Sequence, residues 1–132
     1  MEKISVKNSG IIRLDQPADN LFVGETCKQI PFDIKRFYVI DKPRGVRGNH
    51  AHKKLEQYIF CLRGQFDLEL DDGEKSQTIS MNDPSTGIRL GTGLWHSMKN
   101  FSNDCLILVV ASGYYDEADY IRDYDEFKKS IR

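Results

Sequence analysis

Three histidines carry the chemistry of this 132-residue chain, and all three fall in two short stretches. The first is Arg47-Gly48-Asn49-His50-Ala51-His52-Lys53-Lys54-Leu55-Glu56-Gln57, and the second is Gly91-Thr92-Gly93-Leu94-Trp95-His96-Ser97-Met98-Lys99-Asn100. In a β-strand successive side chains point to opposite faces, so His50 and His52 present two imidazoles on one face with Ala51 turned away. Such a pair, with His96 brought beside it, suits one of three occupants. Three neutral imidazoles and a carboxylate make a site for iron, manganese, nickel or zinc. Two imidazoles that titrate near neutrality can take a proton from one atom of a bound substrate and return it to the next. Third, the rings can be no more than hydrogen-bonding residues of a β-protein.

The elements that must position these histidines are strands. Arg36–Asp41 is rich in β-branched and aromatic residues and breaks at Lys42-Pro43-Arg44-Gly45, with Tyr38 and Ile40 sharing a face. Tyr58-Ile59-Phe60-Cys61-Leu62 is apolar on both faces, as a strand between layers is. Phe66, Leu68 and Leu70 alternate with polar residues up to a hairpin turn at Asp71-Asp72-Gly73-Glu74, and Thr78–Met81 returns. Ile88–Leu90 and Leu106–Val110 follow. In the first 30 residues, Ile11-Ile12 and Leu21-Phe22-Val23 read as edge strands around a turn-forming cluster, Asp15 to Asn20. Many short strands punctuated by Gly and Pro indicate an all-β sandwich or barrel. Only the C-terminus differs. Asp123 is a candidate cap for a short helix with acidic residues early, lysines late, and Tyr124, Phe127 and Ile131 on one side.

Composition narrows the function. Lys plus Arg total 19 against 20 Asp plus Glu, a formal charge of -1 that provides no global field for nucleic acid or an anionic membrane. No apolar run reaches the roughly 18 to 20 residues of a membrane span, and the first residues carry charge without a signal-like apolar core, so a soluble cytoplasmic protein is expected. Cys27, Cys61 and Cys105 have no C-x-x-C spacing and are expected to be reduced core thiols. No repeat, linker or low-complexity tract divides the chain, and residues 1–132 read as a single domain.

Locally the charge is uneven. Between positions 35 and 54 lie Lys35, Arg36, Lys42, Arg44, Arg47, Lys53 and Lys54 against only Asp41. Arginine forks bind phosphate oxygens bidentately, so this patch beside the histidines suits a diphosphate. Tyr38, Tyr58 and Trp95 are candidates to stack on a base or sugar.

The two histidine stretches resemble the paired motifs of the cupin superfamily, small jelly-roll β-barrels. In the first motif three or four residues separate the second histidine from an acid, and six more separate that acid from a glycine. Here Gln57 holds that spacing to Gly64, Glu56 stands one residue early, and a neutral amide is a poor metal ligand. In the second, Gly91-x-Gly93-x-x-His96-x-x-x-Asn100 matches, with Gly91 where proline is usual.

A narrower resemblance rests on Ile34-Lys35-Arg36-Phe37-Tyr38, on the His50 stretch, on Trp95-His96-x-Met98, and on the tail from Ala111-Ser112 through Tyr114-Tyr115-Asp116-Glu117, Asp119-Tyr120-Ile121-Arg122 and Tyr124-Asp125 to Phe127. These look like the WxcM-like cupins, the dTDP-4-keto-6-deoxyglucose 3,4-ketoisomerases. The resemblance implies a single-domain cupin jelly-roll barrel with a short C-terminal helix. It also implies a homodimer exchanging N-terminal strands (about residues 1–30), no metal or other cofactor, and a dTDP-linked 4-keto-6-deoxy sugar as ligand in amino-deoxysugar synthesis for surface glycans such as lipopolysaccharide. Carried over residue by residue, His50, His52 and Tyr38 are catalytic, with His52 the proton shuttle. Arg47 and His96 bind substrate by the same resemblance, while Arg44, from its place in the basic patch, and Tyr58 and Trp95, from their aromatic character, are expected to join them. Near the N-terminus Asp15-Gln16-Pro17-Ala18-Asp19-Asn20-Leu21 stands where the family has D-x-R-G-x-L, and His96 inclines the product towards an axial C4 hydroxyl. The rivals are a dTDP-sugar 3,5-epimerase, a metal-dependent cupin oxygenase and a non-catalytic sugar-nucleotide-binding module.

Overall fold

A computed structural model describes residues 4–132. Of the N-terminal segment expected to exchange, residues 1–3 lie outside the described residues. The strands are β1 (Ile11–Arg13), β2 (Asp15–Ala18), β3 (Leu21–Val23), β4 (Arg36–Asp41), β5 (Arg47–His52), β6 (Gln57–Arg63), β7 (Phe66–Asp71), β8 (Ser76–Met81), β9 (Thr86–Arg89), β10 (Trp95–Lys99), β11 (Leu106–Ala111) and β12 (Tyr120–Ile121). A single 3-10 turn, Glu117–Asp119, precedes β12, and helix α1 spans Tyr124–Ser130.

Two five-stranded antiparallel sheets, ordered β1-β9-β6-β11-β4 and β12-β5-β10-β7-β8, make the jelly roll. Their inner faces meet in the main core, where Ile59, Leu68, Leu70, Ile79, Ile88, Leu90 and Ile107 are fully buried. Each such side chain stabilises the fold by about 1.5–3 kcal/mol relative to exposure. The alternation read in β7 is observed, with Phe66, Leu68 and Leu70 inward. Among the described residues no ladder joins the edge strands β4 and β12, so the sandwich is open along that side rather than closed into a hydrogen-bonded barrel.

The outer faces are covered differently. Tyr58, Phe60 and Val110 point away from the main core and pack with Ile30, Ile12, Phe32 and Ile34 of the N-terminal segment. On the other sheet, α1 lays Phe127 against Ala51, Ile121 and Trp95. Asp123 caps it as expected, accepting from the backbone N–H groups of Asp125 and Glu126. Ile131 lies just past the last helical turn, at the C-cap.

Two local expectations are corrected. Asp15–Ala18, expected as a turn, forms strand β2, which pairs only with β3; this edge ladder tolerates Pro17, which has no N–H to donate. The turn contracts to Asp19-Asn20, with Asn20 at φ 61. Cys61 and Cys105 are buried free thiols, whereas Cys27 is an exposed one in the connection from β3 to β4.

Candidate active site

The cavity between edge strand β4 and the β12-β5-β10 side of the other sheet is lined by His50 and His96, with the buried His52 beside them. His50 on β5 lies directly opposite His96 on β10, and Tyr120 on β12 lies opposite His52. Ring centroids of His50 and His96 are 4.6 Å apart, those of His50 and His52 5.1 Å, and Tyr120 stands 4.6 Å from His52. The close approach of β5 to β10 needs Gly48, whose φ is +85° and whose added Cβ would lie 3.1 Å from the His96 carbonyl oxygen. Opposite it the ladder shifts register between His96 and Ser97, and this bulge brings Arg47 to the cavity as well as Gly48 and His50. The cavity, about 450 Å³, is lined also by Arg36, Tyr38, Ile40, Met98, Tyr115 and Arg122.

The two β5 histidines differ in surroundings. The Nδ1–H of His50 donates to the Gly48 carbonyl at 3.1 Å, which assigns its neutral form a proton-free Nε2, and the half-buried ring lines the cavity. Burial, then the neighbouring His52, lowers its pKa to about 4. His52, in contrast, is buried and engaged through both nitrogens. Its Nδ1–H donates to Asp119 Oδ2 at 3.2 Å, and its Nε2 accepts from the Gln57 amide N–H at 3.2 Å. Burial lowers its pKa against the opposing pull of Asp119. His96 is buried too, and desolvation, reinforced by His50 and His52, holds it well below the ordinary imidazole value. All three rings are therefore neutral at pH 7.

The chain of hydrogen bonds continues from Gln57. Its Oε1 accepts the Tyr38 hydroxyl at 3.0 Å, so Asp119, His52, Gln57 and Tyr38 form one connected row. Burial raises the Tyr38 pKa to about 12, which keeps the phenol protonated. Asp119 is fixed in turn by the backbone N–H groups of Lys54 at 2.8 Å and Leu55 at 3.2 Å. At the mouth, Arg122 forks onto Glu117 at 2.8 and 3.0 Å and lies over the Tyr120 ring, while Tyr115 donates to the same carboxylate at 2.6 Å. Arg36 donates its Nε–H to the Gly113 carbonyl at 3.3 Å and stands beside the Tyr38 and Tyr115 rings.

Of the residues expected at the site, His50, His52, His96, Tyr38 and Arg47 come together. Tyr58, Trp95 and Arg44 do not. Tyr58 follows Gln57 on β6, so alternation turns it to the outer face, where it packs on Phe32 with ring centroids 5.9 Å apart. Trp95 precedes His96 and is likewise turned outward, edge-on to Tyr124 and against Phe127. Arg44, in the β4–β5 loop, lines a separate cavity with Lys42 and Asn100. Arg36 belongs to the site and was legible, since alternation along β4 puts it on the Tyr38 face. Asp119, Tyr120 and Arg122 come from the tail, which no periodicity ties to the histidines.

The ring nitrogens of His50, His52 and His96 lie within 4.8 Å of one another, close enough for small side-chain movements to gather them around a transition metal. The donor set does not fit one as it stands. Gln57 directs an N–H at the His52 lone pair, and Glu56, the alternative acid, is turned away into a fork with Arg89 at 2.5 and 2.8 Å.

Comparison with known proteins identifies the family. The profile of the family described as FdtA, WxcM-like, C-terminal, matches residues 5–132. A TDP-4-oxo-6-deoxy-alpha-D-glucose-3,4-oxoisomerase of Aneurinibacillus thermoaerophilus is 52% identical over 114 residues, 85% of this chain and 82% of that protein. The 3,4-ketoisomerase QdtA of Thermoanaerobacterium thermosaccharolyticum, solved as a histidine-to-asparagine variant with TDP-4-keto-6-deoxyglucose, superposes with a TM-score of 0.92 at 39% identity over 96% of each chain. The TDP-quinovose 3,4-ketoisomerase WlaRB of Campylobacter jejuni superposes with a TM-score of 0.87 at 43% identity, over 94% of this chain and 99% of that one. By its match across residues 5–132 and by these likenesses, the chain belongs to the FdtA, WxcM-like family.

Proposed function

We propose that the protein is a 3,4-ketoisomerase that moves the keto group of TDP-4-keto-6-deoxyglucose from C4 to C3. The observation that carries this is the His50 ring, neutral, facing the cavity, and oriented by Gly48 so that its Nε2 can accept a proton. The substrate's C3 proton is acidic because the C4 carbonyl adjoins it. His50 removes it, the C4 oxygen gains a proton as the enediol forms, and a proton is then delivered to C4 while the C3 hydroxyl loses its own. This assigns the shuttle to His50, in place of the His52 expected from the resemblance, because both nitrogens of His52 are already bonded inside the protein. His52 instead orients Gln57, and through it Tyr38, whose neutral hydroxyl attends the proton exchanged between O3 and O4. The buried ring of His96 flanks His50 and steers protonation of C4 towards an axial hydroxyl. Arg47 and Arg122, at the cavity, suit the diphosphate.

A homodimer with exchanged N-terminal strands is part of the same reading. The β2–β3 hairpin joins neither large sheet and leaves Leu21 49% exposed. Edge strand β4 exposes Phe37 at 68% and Val39 at 51%, a row suited to a second copy. No helix among the described residues is long and apolar enough to cross a membrane. A cytoplasmic location belongs to the same proposal. Incubation with TDP-4-keto-6-deoxyglucose and carbon NMR tests the reaction. A ketone found at C3 supports it; a ketone retained at C4, with or without inversion at C3 and C5, overturns it.

A further inference from the structure

Jelly rolls with a three-histidine cluster invite a metal, and here the hydrogen bonds of one histidine oppose it. A transition ion needs one lone pair from each imidazole. His50 can offer Nε2, because its Nδ1 is tied to Gly48. His52 cannot: its Nδ1–H is committed to Asp119, and its Nε2 lone pair already receives the Gln57 amide N–H. The amide cannot simply turn, since its Oε1 holds the Tyr38 hydroxyl at 3.0 Å and an amide in the reverse orientation would set lone pair against lone pair at His52. Gln57 is 1% exposed, so water does not relieve the arrangement.

We propose that Gln57 is the residue that closes this histidine cluster to divalent transition metals, and that a carboxylate at position 57 opens it. A glutamate there can still accept from Tyr38, but it has no hydrogen to give to His52. The freed Nε2 joins a ring nitrogen of each of the other two histidines, and the carboxylate supplies an anionic fourth donor for cobalt, nickel or zinc. The inference rests on the geometry of the histidines, and metal uptake is measured without any sugar substrate. Its failure would leave the ketoisomerase reading intact, and the reverse also holds.

The test is titration of the purified protein with cobalt(II), read by visible absorption and by metal analysis after gel filtration. Gln57→Glu is expected to retain one equivalent with tetrahedral or five-coordinate bands, and to bind about 100-fold more tightly than the unmodified protein. Gln57→Met removes the N–H without adding a ligand and is expected to gain about 10-fold. Adding His96→Ala to Gln57→Glu is expected to remove the gain. Thermal melts establish that each variant is folded, and if Gln57→Glu is not, Gln57→Met carries the test. Stoichiometric cobalt held by the unmodified protein as tightly as by Gln57→Glu would overturn the proposal. So would folded variants at position 57 that bind cobalt no better than the unmodified protein.

Discussion

His50 Nδ1 lies 3.1 Å from the carbonyl oxygen of Gly48, two residues back on the same strand. A backbone carbonyl can only accept, so the ring proton belongs on Nδ1 and Nε2 is left to face the cavity as a base. His50→Asn keeps a polar side chain of smaller size but removes the base. Its kcat is expected to fall by about 10²–10⁴-fold, with little change in affinity for TDP measured by calorimetry.

Asp119 acts on the reaction through His52. In Asp119→Asn the His52 ring loses the acceptor that fixes its tautomer, and the Gln57–Tyr38 end of the row loses its orientation with it. Turnover is expected to fall by up to about 100-fold with KM nearly unchanged. The same carboxylate caps the Lys54 and Leu55 amides, so a loss of about 1–3 kcal/mol in stability should accompany it in urea melts.

The pH dependence follows from burial of the histidines. His50 in the folded protein titrates at about 4, against about 6.5 for an unperturbed imidazole. The acidic limb of kcat/KM should therefore fall near pH 4 rather than near 6.5. For stability, the unfolded chain takes up the proton first as pH is lowered, so it binds more protons than the folded chain between about 6.5 and about 4. Stability contributed by the neutral ring is present above pH 6.5 and is lost across that window. His52 and His96, shifted in the same direction, add to the loss. Thermal melts from pH 8 to pH 4 measure it.

Trp95 separates packing from binding. It lies on the outer face of β10 against Tyr124 and Phe127, so Trp95→Phe should leave KM unchanged while lowering the melting temperature. Phe127, 1% exposed beneath it, is the anchor of α1, and Phe127→Ala should cost about 3–5 kcal/mol. A KM raised by Trp95→Phe would return that residue to the substrate site.

Much of this arrangement could be read from the chain because strands declare themselves by alternation. Arg36–Asp41, the Phe66 hairpin and the pairing of His50 with His52 on one face needed only period two. The same rule, applied one residue further, would have excluded Tyr58 and Trp95, since each neighbours an inward residue; aromatic character suggested binding where alternation forbids it. Gln57 stood out only as a poor metal ligand, because its role as a donor to His52 depends on the orientation of an amide. Asp119 and Arg122 reach the histidines through the β12–β5 ladder, a pairing across almost 70 residues that no local pattern encodes.

His50 transfers the proton between C3 and C4 in the proposed reaction. Proton NMR in deuterium oxide, with TDP-4-keto-6-deoxyglucose and either the unmodified protein or His50→Asn, addresses it directly. A 3-keto product carrying deuterium at C4 is expected with the unmodified protein, and no exchange of the C3 proton with His50→Asn even where TDP still binds. Exchange at the unmodified rate in His50→Asn would contradict it.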